Sequence, residues 1–306
     1  MHTHYWHRRL KGLFVRMAYA CMVLVLLEGC QGCHRGAAVA PEPSEMDIET
    51  TTPSLGGIPN LGNTCYMNSV LQIIAKLYPD IFAGSADSLA QAGQVIVKKI
   101  RDDQDYVTRE EADAFYTAFL AVTPFQRGAQ ESADECMENI WQQLGLPMID
   151  AILGTPYITL VLQSSQGNKE DERTMSQLLD NYATVPQINP ATVPRIDPKN
   201  FRGIIPIKLE RNENGKTKNN TIVKQALQLT ITNRHIPALP QDIHCRLVGF
   251  IVHDGSANRG HYFTYIHQNG EWKLYSDAWV RKVTPAQAEQ AAEGAYLYFY
   301  SWDQVS

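Results

Sequence analysis

The chain changes its periodicity once, near residue 150, and that change limits the folds open to it. Before it, apolar residues recur at helical spacing. Val70, Leu71, Ile74 and Leu77 follow Cys65, and "SLAQAGQVIVKKI" continues the pattern. "TREEADAFYTAFL" and "SADECMENIWQQL" each open on a capping-box pattern, Thr108 with Glu111 and Ser132 with Glu135. After about residue 155 the apolar residues alternate or run on, rich in β-branched and aromatic types. "YITLVLQ", "GIIPIKLER", "LQLTI", "CRLVGFIVH", "HYFTYIHQ", "WKLYSD" and "AYLYFYSW" read as strands. "NENGKTKNN" marks a turn and "QNGEW" a hairpin turn. Helices first and antiparallel strands second predict an α+β fold with segregated halves, about 56–150 and 151–304.

The first 33 residues stand apart. Arg8, Arg9, Lys11 and Arg16 precede an apolar run from Met17 to Leu27, well short of the ~20 residues that span a bilayer. The pattern fits a cleavable signal. "LEGC" resembles a bacterial lipoprotein signal with Cys30 as the lipidated residue, and so implies an exported or membrane-anchored protein. Glu28 departs from the small or neutral residue usual there. Residues 34–55, rich in Ala, Pro, Glu, Ser and Thr, read as a disordered tether, so the folded domain is expected at 56–304.

Charge and cysteine usage exclude several classes. The net charge is −5, and no basic stripe occurs beyond the N-terminus, which argues against a nucleic-acid surface. Of six cysteines, only Cys65, Cys136 and Cys245 lie beyond residue 33. They are odd in number and far apart, so no disulfide framework is expected. No CxxC pair occurs among them, so neither a metal site nor a cofactor is expected.

"GIPNLGNTCYMNSVLQ" sets Cys65 at the mouth of a helix, behind a loop of Gly, Pro and Asn. The unpaired N–H groups and the positive end of the macrodipole there favour a thiolate near neutral pH, and the same groups can receive an oxyanion. Asn60 offers a further amide donor, and Asn63 and Thr64 can cap the helix. A thiolate needs a base. His261, behind Gly260 at the start of an alternating strand, is the first candidate, and His253 competes. The next strand carries Ser276 and Asp277, either of which can accept from the imidazole. The conjunction predicts a Cys–His hydrolase or transferase.

These residues carry a family likeness. "GIPNLGNTCYMNSVLQ" resembles the cysteine box of the ubiquitin-specific proteases. "LVGFIVHDGSANRGHYFTYI", "WKLYSDAWVRKV" and "AYLYFY" resemble their histidine box, and "QESADECMENIWQQL" resembles the glutamine-rich helix between. The resemblance spans Gly57 to Tyr300. It implies a papain-like fold with a helical thumb, a β palm and fingers, and hydrolysis of the isopeptide bond after ubiquitin's C-terminal Gly-Gly. Cys65 is then the nucleophile, His261 the base, and Asn60 the oxyanion donor. Gln130 would position the Cys65 loop, while Glu135, Gly260 and Tyr262 would line the path of the substrate tail. "HDGSANRG" would be a mobile loop closing over that tail.

Three positions depart from the family pattern. Ser276 stands where Asn or Asp is usual, so Asp277 is expected to supply the charge to the imidazole. Ser132 stands where Asp is frequent, which removes a charge from the tail's path. The absence of CxxC pairs predicts short, metal-free fingers. Ubiquitin is the implied partner, and host ubiquitin if the protein is bacterial. The alternatives are a catalytically weak ubiquitin-binding protein and a Cys–His peptidase for another ubiquitin-like tail.

Overall fold

The computed structural model describes residues 54–302, apart from 151–152, 163–171, 185–195, 197, 214–216, 225, 240 and 257–258. The expected signal segment and nearly all of the expected tether lie outside the described residues, as does most of "QINPATVPRIDPKN". No helix among the described residues is long and apolar enough to cross a membrane.

Among the described residues four helices come first: α1 (Cys65–Leu77), α2 (Ser88–Ile100), α3 (Arg109–Val122) and α4 (Ala133–Gln143). Asp87 caps α2 by accepting from the N–H of Ala90, and Thr108 with Glu111 closes a full capping box on α3. The corresponding box on α4 does not form. Ser132 makes no cap bond to its helix; its hydroxyl is turned to Asp134, to which it donates.

The remainder builds a mixed sheet ordered β1 (Ile158–Val161), β3 (Ile204–Glu210), β12 (Leu297–Trp302), β8 (Ile243–Ser256), β9 (Arg259–Gln268), β10 (Glu271–Ser276) and β11 (Trp279–Val283), with β7 (Gln228–Ile231) also on β8. It is antiparallel except at one edge, where β1 runs parallel to β3. A parallel pair needs a long crossover, and this one includes β2 (Glu172–Thr174) and α5 (Met175–Thr184). Two small pairs complete the strand set, β2 with β6 (Ile222–Lys224) and β4 (Asn212–Glu213) with β5 (Thr217–Lys218). A last helix, α6 (Pro285–Ala292), has its own capping box from Thr284 and Gln287.

The middle of the sheet is covered on both faces, which explains the nearly unbroken apolar and aromatic run of β12. Along β12, Leu297 and Phe299 join the helical core with Tyr66, Leu71, Ile74 and Phe115. Tyr298 and Tyr300 alternate to the other face, with Leu178, Ile207, Phe250 and Ala288. Helix α1 crosses the first face, where the Thr264 hydroxyl of β9 donates to the carbonyl of Ser69 at 3.1 Å. That crossing brings the mouth of α1 to the start of β9.

Candidate active site

The loop before α1 is built around one amide. The Asn60 side-chain oxygen accepts from the N–H groups of Gly62 at 2.9 Å and Thr64 at 3.2 Å. The Thr64 hydroxyl points back to the N–H of Leu61 at 2.9 Å and makes no cap bond to the helix. The first N–H groups of α1 are therefore not taken by a capping side chain, and those of Cys65 and Tyr66 face the Cys65 sulfur. Cys65 itself is buried, 6% exposed.

Burial changes the expected acidity of this thiol. It pushes Cys65 up to about 11, against the N–H groups of Tyr262, Tyr66 and Cys65 and with the Asp277 charge. The donors at the helix mouth are present as the sequence implies, but desolvation of the buried sulfur is the largest contribution. The free protein holds a thiol near neutral pH rather than the thiolate expected from sequence.

His261 lies on β9, paired with Asp254 across the β8–β9 hairpin. Its Nε2 is 2.9 Å from the Ser276 Oγ on β10. The Asp277 carboxylate is farther off, 4.0 Å from the same nitrogen. Asp277 instead accepts from two amides, Asn60 Nδ2 at 2.7 Å and Asn68 Nδ2 at 2.6 Å. It sits in the two-residue turn between β10 and β11 with φ at +49°, which aims its side chain at the loop. The loop is docked on the same turn: the N–H of Ile58 donates to the carbonyl of Asp277 at 2.9 Å. A Cβ on Gly57 would stand 2.4 Å from the carbonyl of Ala278, so only glycine allows that docking.

The structure thus gathers Asn60, Cys65, His261, Ser276 and Asp277 where α1 meets β9 and β10. Tyr262 links them, because its backbone N–H faces the Cys65 sulfur while its ring packs at a tilt on His253, with centroids 4.4 Å apart and the planes at 39°. His253 is held neutral: burial, aided by the Lys218 ammonium, drops it to about 4. Gly260 is required by the hairpin, since a Cβ there would meet the Asp254 carbonyl at 2.0 Å and the His253 ring at 2.5 Å. The described residues of "HDGSANRG", 253–256 and 259–260, are correspondingly paired strand rather than loop, with β8 and β9 joined out to Ser256 and Arg259. Gln130 is exposed and reaches the Asn63 side chain only at 3.5 Å, while Asn63 donates to the carbonyl of Gly128 at 2.8 Å. Glu135 is half-buried in the first turn of α4. Among the described residues, no group of three His, Cys, Asp or Glu side chains is placed to hold a metal ion.

Two contributors were not singled out by the sequence. Asn68 follows Cys65 by three residues, one helical turn on, which puts both on one face of α1; that spacing was a readable signal. Asp134 gave no such signal, because its partners are distant in the chain.

The family model described as ubiquitin carboxyl-terminal hydrolase matches residues 56–300. Ubiquitin carboxyl-terminal hydrolase 8 of Saccharomyces cerevisiae is 36% identical over 66 residues, covering 21% of this chain and 14% of that protein. Ubiquitin carboxyl-terminal hydrolase 44 of Xenopus tropicalis is 62% identical over 29 residues, 10% of this chain and 4% of that protein. These matches therefore span only a small part of the curated relatives. Among solved structures, the Ubp8–Sgf11–Sgf73–Sus1 SAGA DUB module superposes with a TM-score of 0.58 at 20% identity, over 84% of this chain and 71% of that one. The same module bound to ubiquitin aldehyde gives 0.59 at 18% identity, over 84% and 72%. At such identities the likeness speaks for the fold, whereas the family model covers most of the sequence. The chain belongs to the ubiquitin carboxyl-terminal hydrolase family.

Proposed function

We propose that the protein is a cysteine-type deubiquitinase that hydrolyses the isopeptide bond after the C-terminal Gly-Gly of ubiquitin through a thioester on Cys65. One observation carries this reading. Two consecutive residues of β9 serve the same point: His261 is held by Ser276, and the N–H of Tyr262 lies on the Cys65 sulfur. The solved relative bound to ubiquitin aldehyde supports ubiquitin as the partner.

With Nε2 engaged by Ser276, the Nδ1 of His261 is the nitrogen that takes the thiol proton. Because burial keeps the free thiol protonated near neutral pH, proton transfer accompanies attack. The sulfur attacks the glycine carbonyl carbon, and the C=O electrons move onto oxygen. N–H groups at the mouth of α1 and the Asn60 amide receive that oxyanion. The adduct collapses, the C–N bond breaks, and the lysine amine leaves with the proton from the imidazolium. A water deprotonated by His261 then attacks the thioester and releases ubiquitin and the Cys65 thiol. Asp277 acts in this scheme by fixing Asn60, while the neutral Ser276 orients the ring.

Cleavage of a fluorogenic C-terminal amide of ubiquitin by the full chain tests the reading. Turnover by the wild type and none by Cys65→Ala is expected; a wild type without activity, or a fully active Cys65→Ala, contradicts it. We also read residues 1–33 as an export signal of a bacterial protein acting on host ubiquitin, with Cys30 lipidated. Intact mass of the mature protein checks this: an acylated N-terminus at Cys30 supports it, and one at Met1 overturns it.

A further inference from the structure

Beneath the candidate site lies a buried charge that the reaction scheme does not use. Asp134, on the first turn of α4, is 3% exposed. Its carboxylate meets the Lys208 ammonium of β3 at 2.5 Å, accepts from the Tyr296 and Ser132 hydroxyls, and lies 3.3 Å from the Tyr157 hydroxyl. Lys208 also meets Glu210 at 3.1 Å, and Tyr157 donates to Glu138. Burial opposes both charges, but the pair with Lys208 outweighs it and holds the Asp134 carboxyl below the usual carboxylate range.

The cluster leads to the sulfur. The Ser132 hydroxyl is 3.1 Å from the Tyr296 hydroxyl, and the Tyr262 ring packs beside Tyr296 with centroids 6.2 Å apart. The Ser132 hydroxyl and the Ala133 N–H both face the Tyr262 phenol oxygen. Tyr262 thereby stands in for the cap that Ser132 withholds from α4, and its own backbone N–H lies on Cys65.

We propose that Asp134, paired with Lys208, is a positioning residue for the reaction: it locks Ser132 and Tyr296 so that the mouth of α4 fixes Tyr262 against the Cys65 sulfur. This rests on the deubiquitinase reading above. A set of removed hydroxyls tests it without emptying the ion pair. Tyr296→Phe and Ser132→Ala are expected to lower kcat on the ubiquitin amide about tenfold each, with KM within about twofold, since positioning acts on the transition state more than on binding. Ser132→Thr, which keeps the hydroxyl, is expected to recover most of the loss. Asp134→Asn with Lys208→Met, which removes both charges together, should lose more than either single change. Thermal unfolding is followed in parallel. Wild-type kcat in folded Tyr296→Phe and Ser132→Ala overturns the inference. So does a loss of activity that tracks the unfolding temperature across the set, which would make the cluster structural. An inactive wild type overturns the deubiquitinase reading and the inference with it.

Discussion

Two buried carboxylates tie the helical half to the sheet, and they keep different company. Asp103, in the turn after α2, takes two ammonium groups, Lys76 at 2.5 Å and Lys273 at 2.8 Å, with the Tyr275 hydroxyl at 2.8 Å. Asp134 takes one ammonium and shares the rest of its oxygens among hydroxyls. The Asp103 seam ends in lysine stems and in Gly56, where a Cβ would strike the carboxylate at 2.3 Å. The Asp134 seam ends on Tyr262, beside the sulfur. The chemistry of the two clusters is similar; what separates them is the residue at the end of each. One should therefore appear in stability and the other in rate.

The largest effect is expected at the first seam. Asp103→Ala leaves two lysines without their partner and should cost about 3–5 kcal/mol of unfolding free energy. The folded fraction should keep its kcat, as urea unfolding beside steady-state kinetics would show. A kcat loss like that of the Tyr296 and Ser132 variants would erase the distinction between the seams.

A third carboxylate sharpens it further. Asp277 spends its oxygens on Asn60 and Asn68, so it should act through the oxyanion donor. Asp277→Ala and Asn60→Ala are each expected to lower kcat/KM about a hundredfold, and the double variant should fall little further. Additive losses would assign Asp277 a separate role. Ser276→Ala removes a neutral orienting hydrogen bond and should cost about tenfold. A loss there greater than at Asp277 would return the leading part to the imidazole.

His253 adds a test by pH, since burial depresses it from 6.5 to about 4. Lys218, Asp254 and His261 are the charged or titratable groups acting on it. A depressed folded value means the unfolded chain takes up the proton first. The stability is therefore present above pH 6.5 and declines as the pH falls toward about 4. The urea midpoint should drop across that window, and less steeply in His253→Gln. An equal slope in both proteins would remove His253 from the account.

What the sequence displayed and what it hid follow from range. The α3 capping box and the "QNGEW" hairpin are local devices, and both formed; Asn269 and Gly270 take φ of +53° and +79°. The placement of Cys65 at a helix mouth was legible for the same reason. The "TPAQ" box of α6 is equally local, but it opens a helix of only two turns set between strands, too short to show a helical apolar period. Asp134 was hidden because Lys208 and Tyr296 are 74 and 162 residues away, and an acid in a first helical turn already has an explanation in the dipole. The same cluster undid the box on α4, since the sequence does not show that the Ser132 hydroxyl turns to Asp134 and Tyr296 rather than to the N–H groups of its own helix. Strand patterning likewise does not tell parallel from antiparallel, so the β1 edge was missed. The acidity of Cys65 was misjudged because spacing reveals donors but not desolvation.

The central claim is that Cys65 attacks the end of the ubiquitin tail. Incubating the full chain with ubiquitin carrying a C-terminal electrophile, followed by intact and peptide mass analysis, tests it most directly. One covalent adduct located on Cys65, and absent from His261→Ala on the same timescale, is predicted. An adduct on Cys136 or Cys245, or none in folded protein, would contradict it.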